Sequence, residues 1–211
     1  MRIEHDTPKS ELDFFALNFA RARADAIVVT GRILREEPGL RYDLQGPGAL
    51  PEGLAAWRAA AGLREPPLLV VLTSGRGLDL EHPAFHSWAR PLIFTSVDAA
   101  AGLAGGPVDA VGVERPSLRG LLRHLAERGA RGVSIEAGPS TAVPLYDAPL
   151  GVDELMLSVF RGPLAERLRA GAFLSAAELD RRLPAVNPAA HEGEWTFSLR
   201  RRGQGVGAVD R

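Results

Sequence analysis

The chain has 211 residues, 45% of them hydrophobic and 24% charged, with a formal net charge of -1 and no cysteine. That length and balance suit a globular chain with its own core, and interspersed arginines and acids exclude the basic face of a nucleic-acid binder. The missing cysteines exclude disulfides, thiolate zinc sites and a cysteine nucleophile. "MRIEHDTPKSELDFF" lacks a basic segment followed by an apolar one, and no apolar run reaches membrane length, so a cytoplasmic protein without membrane or nucleic-acid partners is expected.

"PKSELDFFALNFARAR" predicts a first helix with Ser10 as N-cap, Asp13 at the capping-box position, and Leu12, Phe15, Phe19 and Ala22 on one face. The β-branched run in "ADAIVVTG" follows as a buried strand. "RILREEPGLRYDLQGPGALPEG" then reads as a polar loop long enough to carry function. A helix around "LAAWRAAAGL" precedes a strand and loop in "PPLLVVLTSGRG" and strands in "RPLIFTS" and "PVDAVGVE". "PSLRGLLRHLAERGARG" is a helix capped by Ser117, with Leu118, Leu121, Leu122 and Leu125 at helical spacing and Gly129 near its stop. "VSIEAGPSTAV" reads as a strand ended by Glu136, a turn at Gly138 and a helix opening at Pro139, and "VDELMLSVFRG" and "EWTFSLRRR" are late strands. This rhythm predicts an α/β fold: a central mixed, mostly parallel sheet flanked by helices, with an antiparallel C-terminal edge. One domain is expected over residues 1–202, with a loose tail at 203–211.

Three stretches carry chemistry. The turn Gly138, Pro139, Ser140 and Thr141 is either an ordinary strand-to-helix turn or an anion site at a helix start. Thr73, Ser74 and Arg76 place two hydroxyls and a guanidinium at another strand end, and two such ends suit a ligand with two separated phosphates lying across a sheet. Arg32, Arg35, Glu36, Glu37 and Arg41 crowd the long loop, as a solvated surface with local ion pairs or as a substrate-contacting loop. His82 and His86 are four residues apart but lack a third ligand, so no metal site is expected; His5, His124 and His191 stand alone. "GQGVGA" at 203–208 mimics a dinucleotide fingerprint without the preceding strand, and the hydrolase elbow and P-loop signatures are absent.

"LNFARARADAIVVTGRILREEPGLR", "VVLTSGRG", "VSIEAGPS" and "GVDELMLSVFRGPL", in this order, resemble the bacterial RibD C-terminal domains, pyrimidine reductases of riboflavin biosynthesis with a dihydrofolate-reductase-like fold. The resemblance covers about Glu11 to Arg202. It implies an NADPH-dependent reductase, commonly a homodimer, acting on a small phosphorylated pyrimidine. On this likeness the cofactor contacts fall on Gly31, Thr73, Ser74, Arg76, Gly138, Pro139, Ser140 and Thr141, with the 2′-phosphate near Ser74 and Arg76. The substrate contacts fall on Arg21, Glu37, Leu40, Arg41 and Glu136, and no residue stands out as the proton donor.

Four departures from the family pattern accompany the likeness. The chain is expected to start after the family's first strand and its Ser-Leu-Asp-Gly segment, and a usual threonine falls on Ile33 or Leu34. Ala137-Gly138 stands for a Gly-Gly pair, and Glu36-Glu37 for aspartates. These departures support an alternative, a catalytically inactive reductase-like module that binds nucleotide or dimerises.

Overall fold

The run Ala26–Thr30 forms β1, buried along almost its whole length, with a parallel neighbour on each side. A strand in that position has both pleat faces in the core, which is why its sequence is almost purely apolar. The computed structural model describes residues 8–63, 65–147, 149–164 and 174–203. His5 and all but the first residue of "GQGVGA" and of the expected tail lie outside them.

Four further strands join β1: β2 (Leu68–Leu72), β3 (Arg90–Ser96), β4 (Asp109–Val113) and β5 (Val133–Ile135). The order is β4-β3-β2-β1-β5 and every pairing is parallel. Pleating sorts the side chains into two faces. Ile27, Val29, Leu69, Val71 and Ile93 share one cluster with Leu34, Tyr42 and Phe85. Val28, Val70 and Phe94 alternate with them, and Phe94 meets the His124 ring at a centroid distance of 5.6 Å. His124 therefore packs against the sheet.

The helices are α1 (Glu11–Arg23), α2 (Gly31–Glu36), α3 (Leu50–Ala60), α4 (Val97–Leu103), α5 (Leu118–Glu127), α6 (Pro139–Ala142) and α7 (Ala176–Arg182). Ser117 caps α5 by accepting from the Gly120 N–H, and Gly129 supplies the positive φ (+87°) just past its end. Ser10 caps α1 through the Asp13 N–H at 3.0 Å. The carboxylate of Glu192, rather than Asp13, accepts the Glu11 and Leu12 N–H groups and the Ser10 hydroxyl proton. The expected apolar face of α1 also differs: Phe15 is exposed, whereas Asn18, Arg21 and Ala22 are buried. Polar side chains there have partners inside the core, and periodicity in apolar residues cannot register them.

Two sequence expectations change. The long polar loop contains α2 and a fully buried Tyr42, so it contributes Leu34 and Tyr42 to the core while much of it stays exposed. The late strands do not edge the parallel sheet; β6 (Glu154–Phe160), β8 (Trp195–Arg201) and β7 (Ala190–Glu192) form a separate antiparallel sheet in the order β6-β8-β7. Phe160, Trp195 and Phe197 pack on one another, with centroid distances of 5.2 and 6.1 Å between successive rings. Alternation specifies which face of a strand is apolar but not which strand it pairs with. The chain sorts into two compact units, Leu17–Ala142 with the parallel sheet, and the residues up to Ala16 with those from Val143 onward, which hold the antiparallel one.

Leu121 has no exposed surface. Leu121→Ala should lower unfolding free energy by about 3 kcal/mol in urea titration.

Candidate functional site

From β1 the chain moves outward through β2, β3 and β4, then returns on the other side of β1 as β5. The reversal separates the connections that follow β1 and β5, and a crevice at the carboxyl ends of such strands is where open parallel sheets take ligands. Parallel pairing brings three segments to this edge: Gly31 and α2 after β1, Thr73–Gly77 after β2, and Glu136–Thr141 after β5.

The first cluster is built around a buried ion pair. Arg21 donates through Nε to Glu136 Oε1 at 2.8 Å and through Nη2 to Glu136 Oε2 at 2.7 Å, with side chains 6% and 16% exposed. The guanidinium carbon lies 4.6 Å from the Tyr42 ring centroid. Burial pushes the Arg21 pKa down, but the hydrogen bonds and charge of Glu136 outweigh it and leave it raised. Burial also drives the Tyr42 phenol far above its ordinary range, so it stays neutral. Arg21 and Glu136 therefore hold one another. The fork occupies two of the carboxylate's approximately four acceptor positions, leaving the others open to a ligand donor.

Glu37 lies within electrostatic reach of this pair. Its carboxyl makes no hydrogen bond among the described residues, and burial raises its pKa, with Glu36 and Glu136 adding and Arg21 opposing. The backbone around it is tightly held: the Glu37 N–H donates to the Ile33 carbonyl at 2.9 Å, and the Leu40 N–H to the Glu37 carbonyl at 3.0 Å. Asp43 accepts from the Trp88 N–H at 2.7 Å and from Arg41 Nε at 2.6 Å, while Asn18 accepts from the Gln45 N–H at 2.8 Å. Arg41 is thus engaged on the surface, and Leu40 packs against the core. Leu34, one of the two positions where the family threonine would fall, is 2% exposed within that core, so packing explains an apolar side chain there.

The second cluster follows β2. Buried Thr73 accepts the Gly75 N–H at 3.1 Å, and a Cβ on Gly31 would lie 2.6 Å from the Thr73 Oγ1. Gly31 thus serves a close approach of α2 to Thr73. Gly75 and Gly77 have φ of +82° and +59°, which glycine adopts without strain. They turn Ser74 and Arg76 outward into solvent. Arg35 donates to the Arg76 carbonyl at 3.1 Å, but the Arg76 guanidinium has no hydrogen bond or ion pair among the described residues. The Thr95 hydroxyl, at the end of β3, is buried without a partner among them.

The third cluster corrects the expected helix after β5. α6 is a single turn, Pro139–Ala142, before a 3-10 turn at Val143–Leu145. Pro144 lacks the N–H that would continue the helix, so little macrodipole accumulates at Gly138. Open space remains at Gly138, where an added Cβ would meet no atom within 4 Å. Ser140 is exposed and Thr141 half-buried beside it. Sequence reasoning missed Asn18, Tyr42, Asp43 and His82 as parts of this region. The one available signal was Tyr42, a large aromatic in an otherwise polar loop.

Glu136→Ala would strand the Arg21 charge in the interior. Urea unfolding should show a loss of about 3 kcal/mol, most of it recovered when Arg21→Met is added.

No family model matches the chain, and no curated protein matches it. Solved structures do. A pyrimidine reductase-like protein of Corynebacterium diphtheriae is 22% identical over 92% of this chain and 82% of its own, with a TM-score of 0.66. Acinetobacter baumannii RibD is 16% identical over 95% of this chain and 53% of its own, with a TM-score of 0.69. A diaminohydroxyphosphoribosylaminopyrimidine deaminase/5-amino-6-(5-phosphoribosylamino)uracil reductase of Thermotoga maritima is 17% identical over 94% and 51%, with a TM-score of 0.57. This chain spans about half the length of the latter two. Its parallel five-stranded sheet, flanking helices and small antiparallel sheet are the fold of the RibD-type pyrimidine reductases.

Proposed function

We propose that the protein is an NADPH-dependent reductase of a small phosphorylated pyrimidine, resembling the 5-amino-6-(5-phosphoribosylamino)uracil reductase named for its Thermotoga neighbour. The observation that carries this reading is the pair of unlike anchors along one sheet edge. Glu136 is fixed by a buried fork after β5, and the Arg76 guanidinium after β2 has no partner among the described residues, with β1 between them. Such spacing suits an elongated ligand with an anionic end.

The residues present fit NADPH. Ser74 and Arg76, set on the Gly31–Thr73 contact, would take the 2′-phosphate side; Gly138, Pro139, Ser140 and Thr141 would take the pyrophosphate, where space is open. NADPH, when bound, supplies a hydride. The protein's own residues then orient substrate and hold a proton. The free acceptor positions of Glu136 suit the amino-rich edge of a diaminopyrimidine, and Arg21 positions that carboxylate. Glu37, its carboxyl kept protonated to higher pH than usual by burial, is the group suited to hold a proton at the reacting centre, and that capacity fades as pH rises through its raised pKa. Leu40 and Arg41 shape the wall rather than reach into the site. Homodimerisation and a cytoplasmic location belong to the same proposal.

A second reading, a nucleotide-binding module without turnover, draws on the mutual satisfaction of Arg21 and Glu136 and of Arg41 and Asp43. Turnover separates the two. The first test is titration with NADPH and NADH, followed by nicotinamide fluorescence. NADPH should bind with a Kd on the order of micromolar and in preference to NADH. Arg76→Ala should weaken NADPH about tenfold while leaving NADH nearly unchanged. Equal binding of the two nucleotides by the parent protein would remove Arg76 from the 2′-phosphate. With binding in hand, NADPH oxidation in the presence of the pyrimidine should fall about a hundredfold in Glu37→Gln.

A further inference from the structure

His82 lies in the segment between β2 and β3, far in sequence from the loop that carries Glu37, and its side chain is buried. It precedes a 3-10 turn, Pro83–His86, and its Nδ1 faces the Ala84 N–H at 3.1 Å. Its Nε2 faces the Glu37 carbonyl at 3.0 Å. A backbone N–H can only donate and a carbonyl can only accept. Nδ1 must therefore be bare and Nε2 must carry the proton, which selects one neutral tautomer of the ring.

The cap alone does not account for the imidazole. Asparagine, serine or aspartate at the same position would accept the Ala84 N–H equally well. What histidine adds is a second, opposite-facing donor that reaches another element. That donor lands on a carbonyl already accepting from the Leu40 N–H, so one peptide group is pinned from two directions. The pinned residue is the one whose carboxyl makes no hydrogen bond among the described residues and feels the charges of Glu36 from α2, Arg21 from α1 and Glu136 after β5.

We propose that His82 is a positioning residue of the site: through its Nε2–H it fixes the Glu37 backbone, and with it the place from which the Glu37 side chain projects. The importance of that placement for reduction rests on the function proposed above, whereas the tether itself does not. Two amide substitutions separate tether from cap. His82→Asn retains an acceptor near the Nδ1 position but has no donor that reaches Glu37. His82→Gln carries a donor near the Nε2 position.

The test uses the full chain without nucleotide or substrate. The nitrogen-15 shifts of His82 in the parent protein should report the neutral Nε2–H tautomer; an Nδ1–H tautomer would overturn the proposal outright. In His82→Asn the Leu40 amide should exchange about tenfold faster, and the Glu37 carboxyl, followed by carbon-13 NMR, should titrate closer to an ordinary glutamate, with thermal stability little changed. His82→Gln should restore both readouts. Unchanged Leu40 exchange and Glu37 titration in His82→Asn, or equal behaviour of the two variants, would sink the tether. Since neither readout involves turnover, loss of the tether and loss of the reductase reading are told apart: the latter fails in the nucleotide titration, the former here.

Discussion

Everything at the candidate site depends on β1 having a parallel neighbour on each edge and core on each face. A strand so enclosed cannot be joined to its parallel partners by tight turns, so each connection crosses over and each strand ends at the same side of the sheet. Because β2 and β5 lie on opposite sides of β1, the connections after them diverge. Residues separated by more than a hundred positions, Arg21 and Glu136 among them, are brought within hydrogen-bond distance by that topology alone.

Within that frame the protein places charge where it is costly. Desolvating a guanidinium and a carboxylate is offset only when geometry is good, and the two-bond fork, with Tyr42 beneath the guanidinium, supplies it. The result is a carboxylate with one side committed and one side available. Arg76 has the opposite arrangement: it stays in solvent at little cost, and its guanidinium donors have no partner among the described residues. Rigid acceptor and open donor are two solutions to the same desolvation problem, and their spacing across β1 gives the edge its polarity.

The loop after α2 shows how a polar sequence becomes rigid. Its side chains are largely hydrophilic, yet Tyr42 and Leu40 anchor it in the core, and Asn18, Asp43 and His82 bind its backbone or its neighbours'. Asn18 and His82 are buried polar groups that would cost stability without these partners. Loops held in this way carry functional groups with the precision of a helix or strand.

The sequence by itself determined the α/β class, the strands from β1 to β5, the cap and stop of α5, and the two strand ends rich in Gly, Ser, Thr and Arg. Those features are local: alternation, helical spacing, capping hydroxyls and glycine turns act over a few residues and are legible wherever they occur. Only the tertiary structure decided that Arg21 is spent on Glu136, that Gly31 serves contact with Thr73, that the helix after Gly138 is one turn long, and that the last strands form their own sheet. Each of these outcomes depends on which distant group reaches a side chain or strand edge first. That competition is settled by packing and desolvation across the whole fold, and a pattern read along the chain contains no term for it.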